Sequence, residues 1–184
     1  MLITGAATGI GRAPALSFAA RGAAVVIGDV DARAEQKVSE IAEAGGQATF
    51  VRADVSRADQ VEALVARTAD TYVSLDVAFN NTGVLPPTAA LAEQTVADWD
   101  RVLGVDVTGV FLCLEYELTH MVAAGAGSIV NTASVAGLIA DPGMAPYVAA
   151  THAVVGLTKA AALGLRRVRH PHQRRGTRNS CAPR

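Results

Sequence analysis

Cysteine is nearly absent from this 184-residue sequence, which carries only Cys113 and Cys181. Two thiols cannot make a disulfide framework or, by themselves, a zinc site, so a reducing cytoplasmic setting is expected. No apolar stretch reaches the roughly 18–20 residues that a membrane-spanning helix requires. The N-terminus opens straight into a glycine-rich motif, which is unlike a signal peptide. Acidic residues are missing from one segment altogether: residues 166–184 carry 7 Arg and neither Asp nor Glu. Residues 1–165 hold all 17 acidic groups and 9 basic ones, so the overall charge of −1 hides two unlike kinds of sequence. Apolar side chains are plentiful, at 51%. That is enough for one compact domain and too much for a disordered chain.

The apolar pattern alternates between strand and helix. Short continuous runs predict strands at 2–4, 24–28 (ending at Asp29), 48–53, 75–80 and 128–133. Helical spacing predicts helices at 10–21, 32–44, 57–72 with Ser56 as N-cap, and 146–165. A long helix capped by Thr95 is predicted to run to about Ala124, with one apolar face formed by Trp99, Leu103, Val107, Val110, Leu114 and Leu118. Strands alternating with helices of this length indicate βαβ units and a parallel sheet covered on both faces. The expected fold is a doubly wound, Rossmann-like α/β sheet over residues 1–165, with an Arg-rich, disordered tail at 166–184.

Two motifs carry chemistry. Thr4-Gly5-Ala6-Ala7-Thr8-Gly9-Ile10-Gly11 falls between the first strand and the first helix. Its glycines permit a tight turn and close approach of a pyrophosphate, which would rest on the positive end of the helix. Gly5, Thr8, Gly9, Ile10 and Gly11 are therefore cofactor-binding candidates. Asp29 ends the second strand 18 residues after Gly11, where a carboxylate can accept hydrogen bonds from both hydroxyls of an adenosine ribose. An anion there repels a 2′-phosphate and Val30 offers no cation, so NAD is expected in preference to NADP.

With these motifs in place the sequence resembles the short-chain dehydrogenases/reductases, an NAD(P)-binding Rossmann family, over residues 2–165. The resemblance also rests on Asp54-Val55 after the third strand, Asn80-Asn81-Thr82-Gly83 after the fourth, and Ser134 thirteen residues before Tyr147. It implies that Asp54 bonds the adenine amino group and that Val55 flanks the ring. It also implies that Asn81 and Gly83 bring backbone close to the cofactor ribose, with Thr82 in place of the usual Ala. The implied activity is hydride transfer between NAD(H) and a secondary alcohol or ketone. Ser134 would polarise the carbonyl and Tyr147 would transfer the proton. The long helix and the one after Ser134 would pair with a second subunit in a homo-oligomer.

Two of the four catalytic positions implied by this resemblance depart from its pattern. Thr151 stands where a Lys is expected one turn after Tyr147, and Asp106 stands where an Asn is expected in the long helix. A free tyrosine has a pKa near ~10, so only about one in a thousand is ionised at neutral pH. A nearby ammonium would favour the tyrosinate and a carboxylate would disfavour it. Alcohol oxidation needs the tyrosinate as base and is expected to fall on the order of 10³-fold or more. Lys159 is twelve residues beyond Tyr147, about 18 Å along a helix, and His152 is rotated roughly 140° away, so neither substitutes.

The change of composition after Leu165 reads as a shifted frame that truncates the domain, in preference to an arm that gathers nucleic-acid phosphates. The short first strand suggests trimming at the other end as well. On this reading the fifth strand has an unpaired outer edge and the chain is less stable than a longer relative. The alternative to a weakly active enzyme is a non-catalytic dinucleotide-binding or interaction module.

Overall fold

A computed structural model of the chain describes residues 1–169. Five parallel strands form one sheet in the order β3-β2-β1-β4-β5: β1 Leu2–Thr4, β2 Ala24–Asp29, β3 Gln47–Arg52, β4 Val77–Asn80 and β5 Ser128–Asn131. The helices between them are α1 Gly9–Ala19, α2 Ala34–Glu43, α3 Ala58–Tyr72, α4 Val96–Val102, α5 Gly109–Ala124 and α6 Ala145–Arg169. This is the doubly wound architecture expected from the alternation of apolar runs.

Side chains of a strand point alternately to its two faces, and each face here has its own core. Leu2, Val26 and Ala78 pack with Val61, Leu64 and Val65 of α3 and with Leu112, Cys113 and Met121 of α5. Ile3, Val25 and Ile27 pack on the other face with Ala15 and Ala19 of α1 and Ile41 of α2. A smaller apolar cluster of Val110, Leu114 and Val154 joins α5 to α6.

Several predicted boundaries need correction. Ser56 does not cap α3; its hydroxyl and backbone N–H both turn back to the Asp54 carboxylate, at 2.7 and 2.9 Å. Thr95 does cap its helix, accepting the Asp98 N–H at 3.0 Å, but that helix is not continuous. Residues Leu103–Thr108 form a π-helical segment between α4 and α5. The wider turn changes the phase of the two halves, so the single predicted apolar stripe breaks up. Trp99 is substantially exposed, whereas α5 buries both Val110 and Leu114 toward α6 and Leu112, Cys113 and Met121 toward the sheet. The last helix runs to Arg169, four residues into the segment expected to be disordered. Residues 170–184, with the rest of that expectation, lie outside the described residues.

Candidate active site

The order of the strands creates the site. From β1 the chain crosses outward to β2 on one side, and later elements return to add β4 on the other. The loops that leave the carboxyl ends of β1 and β4 therefore diverge, and a crevice opens between them. A cleft of about 510 Å³ lies at this point. Of the residues singled out from the sequence, it brings together Gly5, Thr8, Gly9, Ile10, Asp29, Asn81, Gly83, Asp106, Tyr147 and Thr151.

The glycine turn is built for close approach. Gly5 and Gly9 have φ of +68° and +59°, in the left-handed region that a side chain resists. Gly11 is buried and faces inward: a Cβ there would collide with the Gly5 carbonyl oxygen. Thr8 precedes α1 in extended conformation without making a side-chain cap. The first N–H groups of the helix thus keep their hydrogen-bonding capacity for an anion. Asp29 closes one end of the cleft, its Oδ2 accepting Ala7 N–H at 2.9 Å and its Oδ1 accepting Asp31 N–H at 3.0 Å. Gly9 has open space above its Cα. A glycine turn with an uncapped helix end and a carboxylate on the next strand fits the diphosphate and ribose of a dinucleotide.

Asn81 holds the turn in place. Its Nδ2 donates to the Gly5 carbonyl at 3.1 Å, and its Oδ1 accepts the Thr132 hydroxyl at 3.1 Å. Thr4, almost fully buried, accepts the backbone N–H groups of Asn81 and Thr82 through one hydroxyl, at 3.1 and 3.3 Å. Sequence reasoning named Thr4 only as the first residue of the glycine motif, with no role of its own, and did not single out Thr132. A threonine at the end of an apolar strand is an unspecific signal, and only the register of β1, β4 and β5 makes these two meet Asn81 and Thr82.

Asp106 sits in the π-helical segment and is almost fully buried. Its Oδ1 accepts Val84 N–H at 2.8 Å, and its carboxyl group lies against Gly83. Burial pushes its pKa up to about 6, with the Val84 hydrogen bond and the Arg101 charge opposing that rise. Thr151, also nearly buried, bends its hydroxyl back to the carbonyls of Tyr147 (2.9 Å) and Val148 (3.2 Å) of its own helix. A hydroxyl has one proton, so that of Thr151 is committed to the helix backbone. His152 is exposed and its Nδ1 lies 2.9 Å from the Val148 carbonyl oxygen, while Lys159 is exposed further along the helix.

Besides Gly11, three candidates lie outside the cleft lining. Ser134 follows β5 and accepts Ala136 N–H at 3.2 Å, which leaves its hydroxyl proton without an acceptor among the described residues. Asp54 uses Oδ1 to order Ser56. Val55 is buried in the core beneath Gly109, where a Cβ on the glycine would lie 2.7 Å from Val55 Cγ2.

Comparisons with known proteins agree with this geometry. The chain is 46% identical over 162 residues to the cis-4-hydroxycyclohexanecarboxylate dehydrogenase of Sinomonas cyclohexanicum, covering 88% of this chain and 65% of that protein. It is 44% identical over 163 residues to the cyclohexanol dehydrogenase of Acinetobacter sp. (strain SE19), with coverage of 88% and 65%. A crystal structure of a short chain dehydrogenase/reductase from Burkholderia phymatum in complex with NAD superposes with a TM-score of 0.88 at 39% identity, covering 91% of this chain and 60% of that one. The chain thus spans about 65% of the length of these curated relatives. Among the described residues no helix is long and apolar enough to cross a membrane. The glycine turn, Asp29 and the cleft at the carboxyl ends of the strands are in accord with the family model for short chain dehydrogenases, which matches residues 1–169, and the chain belongs to that family.

Proposed function

We propose that the chain is the cofactor-binding and proton-transfer part of an NAD-dependent dehydrogenase for secondary alcohols and their ketones, with weak turnover of its own. The observation that carries this reading is a single cleft lined by the glycine turn, Asp29 and Tyr147 together. NAD in preference to NADP is supported by the Asp29 carboxylate and by the neighbouring Val30, which is exposed and carries no charge. The two relatives named for cyclohexane-based substrates support a ring-bearing secondary alcohol as the substrate class.

Bound at this cleft, NAD supplies the hydride acceptor. The protein's own contribution is proton management and orientation. Tyr147 has no hydrogen-bond partner for its hydroxyl among the described residues, which leaves that group available to exchange a proton with a substrate oxygen. The unspent hydroxyl proton of Ser134 suits polarisation of a carbonyl. On the same cleft wall Thr151 is neutral and its hydroxyl is tied to its own helix, while Asp106 is a carboxylate above pH 6. A neutral Thr151 in place of the lysine that the family pattern carries weighs more on oxidation, which needs a base, than on reduction.

Purified protein and a Thr151→Lys variant, each incubated with NAD and a panel of cyclic secondary alcohols, test the proposal. The lysine variant is expected to form NADH faster by about 10²–10⁴-fold, the usual range for general acid–base effects. If neither protein forms NADH above the blank, the enzymatic reading of this chain is wrong. Tight NAD binding without turnover in either would instead favour a dinucleotide-binding module.

A further inference from the structure

The charge on the cleft wall is one-sided. Among the described residues its titratable lining groups are Asp29, Asp106 and Tyr147, and the lining includes no Lys, Arg or His. Asp29 engages both oxygens with backbone N–H groups. Asp106 lines the cleft and accepts Val84 N–H through Oδ1, and among the described residues its Oδ2 has no hydrogen-bond partner. Asp29 ends β2, and Asp106 is anchored to the amide that follows β4. In the strand order β1 lies between β2 and β4, so the Asp29 anchor and the Val84 anchor of Asp106 belong to strands on either side of β1.

We propose that Asp106 makes this cleft selective for the oxidised dinucleotide, its carboxylate favouring the cationic nicotinamide of NAD over the neutral ring of NADH. The inference rests on the reading that a dinucleotide fills the cleft with its adenosine end at Asp29. The two redox forms share the same diphosphate, so the contribution of the α1 N-terminus cancels in the ratio of their affinities. What remains is one positive charge on the ring, set against a carboxylate oxygen that no cation of the wall neutralises. Among the described residues only Arg101 exerts a charge effect on Asp106. Its guanidinium is directed elsewhere, donating to the Leu85 carbonyl at 2.7 Å and lying 3.9 Å from the Asp98 carboxylate. Tyr147 of α6 and Asp29 of β2 are the other titratable groups facing the same space. Burial sets the window: with the Asp106 pKa pushed up to about 6, the carboxylate is charged at neutral pH and becomes neutral in mild acid. Selectivity for NAD is present above pH 6 and is lost as pH falls through that value.

Isothermal titration of the 184-residue chain with NAD, NADH and ADP-ribose, at pH 7.5 and pH 5.2, tests this directly. The expected result at pH 7.5 is NAD binding tighter than NADH on the order of tenfold, as for one partly screened charge pair. The ratio falls toward one at pH 5.2, and in Asp106→Asn it stays near one at both values. Asn keeps an Oδ1 acceptor for Val84 N–H, and ADP-ribose, which lacks the ring, binds unchanged in that variant. Equal affinities for NAD and NADH at pH 7.5, or an NAD preference that survives in the variant, overturn the proposal and leave dinucleotide binding intact. No heat with any of the three ligands overturns the dinucleotide reading and this inference with it. Should the variant fail to fold, the pH series on the unaltered chain decides the matter.

Discussion

Glu117 is the residue whose replacement is most informative about the fold. It lies on α5 with no solvent exposure, and its Oε2 accepts from Asn80 Nδ2 at 2.9 Å. Asn80 in turn donates to Asn131 Oδ1 at 3.0 Å, and Asn131 donates to the Thr158 hydroxyl at 3.0 Å, so one polar chain links α5, β4, β5 and α6. Among the described residues no cation joins this chain, and Glu117 Oε1 and Asn80 Oδ1 are buried without partners. Burying a charged carboxylate with no cation beside it is costly, which favours its protonated form. Burial accordingly pushes the Glu117 pKa from 4.5 up to about 8, against the opposing effect of the Asn80 hydrogen bond.

The consequence for stability has a definite sign. Between pH 4.5 and 8 the folded chain holds a proton that the unfolded chain has released, so stability is highest at the acid end and declines as pH rises. At pH 7 the cost amounts to about 3 kcal/mol, from 1.36 kcal/mol per pKa unit. Glu117→Gln removes the titration, preserves the shape and keeps an amide oxygen to accept from Asn80 Nδ2. Urea unfolding followed by circular dichroism, run on both proteins from pH 5 to pH 8.5, measures the difference. The stability of the wild type is expected to fall relative to the variant by about 4 kcal/mol across that range. Asp106 titrates in both proteins and cancels in the difference. Parallel curves, with the gap between the proteins constant in pH, would refute the reasoning.

Other substitutions test the cleft piece by piece. Asp29→Ala removes the acceptor for Ala7 N–H and the candidate ribose anchor, and it is expected to weaken NAD binding by about tenfold or more while narrowing the preference over NADP, as read by titration with each. Gly11→Ala drives a methyl group into the Gly5 carbonyl and is expected to cost several kcal/mol, measured as a drop in the urea midpoint.

The sheet was legible in the sequence because its strands are covered on both faces and so appear as unbroken apolar runs, as Ala24–Gly28 does. The glycine turn and Asp29 were legible because backbone geometry and charge at a strand end leave few residue choices. Glu117 was not. A glutamate between Tyr116 and Leu118 looks like any solvated helix residue, and only the packing of α5 on β4 brings it to Asn80. The fate of Thr151 was half legible: the missing ammonium was plain, but the commitment of its hydroxyl to two carbonyls of its own helix depends on a rotamer. The interruption of the long helix at Leu103–Thr108 left no trace either, since its residues have ordinary helical spacing.

That interruption has a reach beyond the residue it presents to the cleft. A π turn holds one more residue than the α turn it replaces, so the side chains of the halves on either side are clocked about 100° apart. Shortening Leu103–Thr108 by a single residue would re-index all of α5 against the strands beneath it. Leu112, Cys113 and Met121 would rotate off the sheet, and the acid now sealed against Asn80 would swing toward water. The length of six residues in mid-helix thus decides both where a carboxylate stands in the crevice and which side of a sixteen-residue helix counts as its inside.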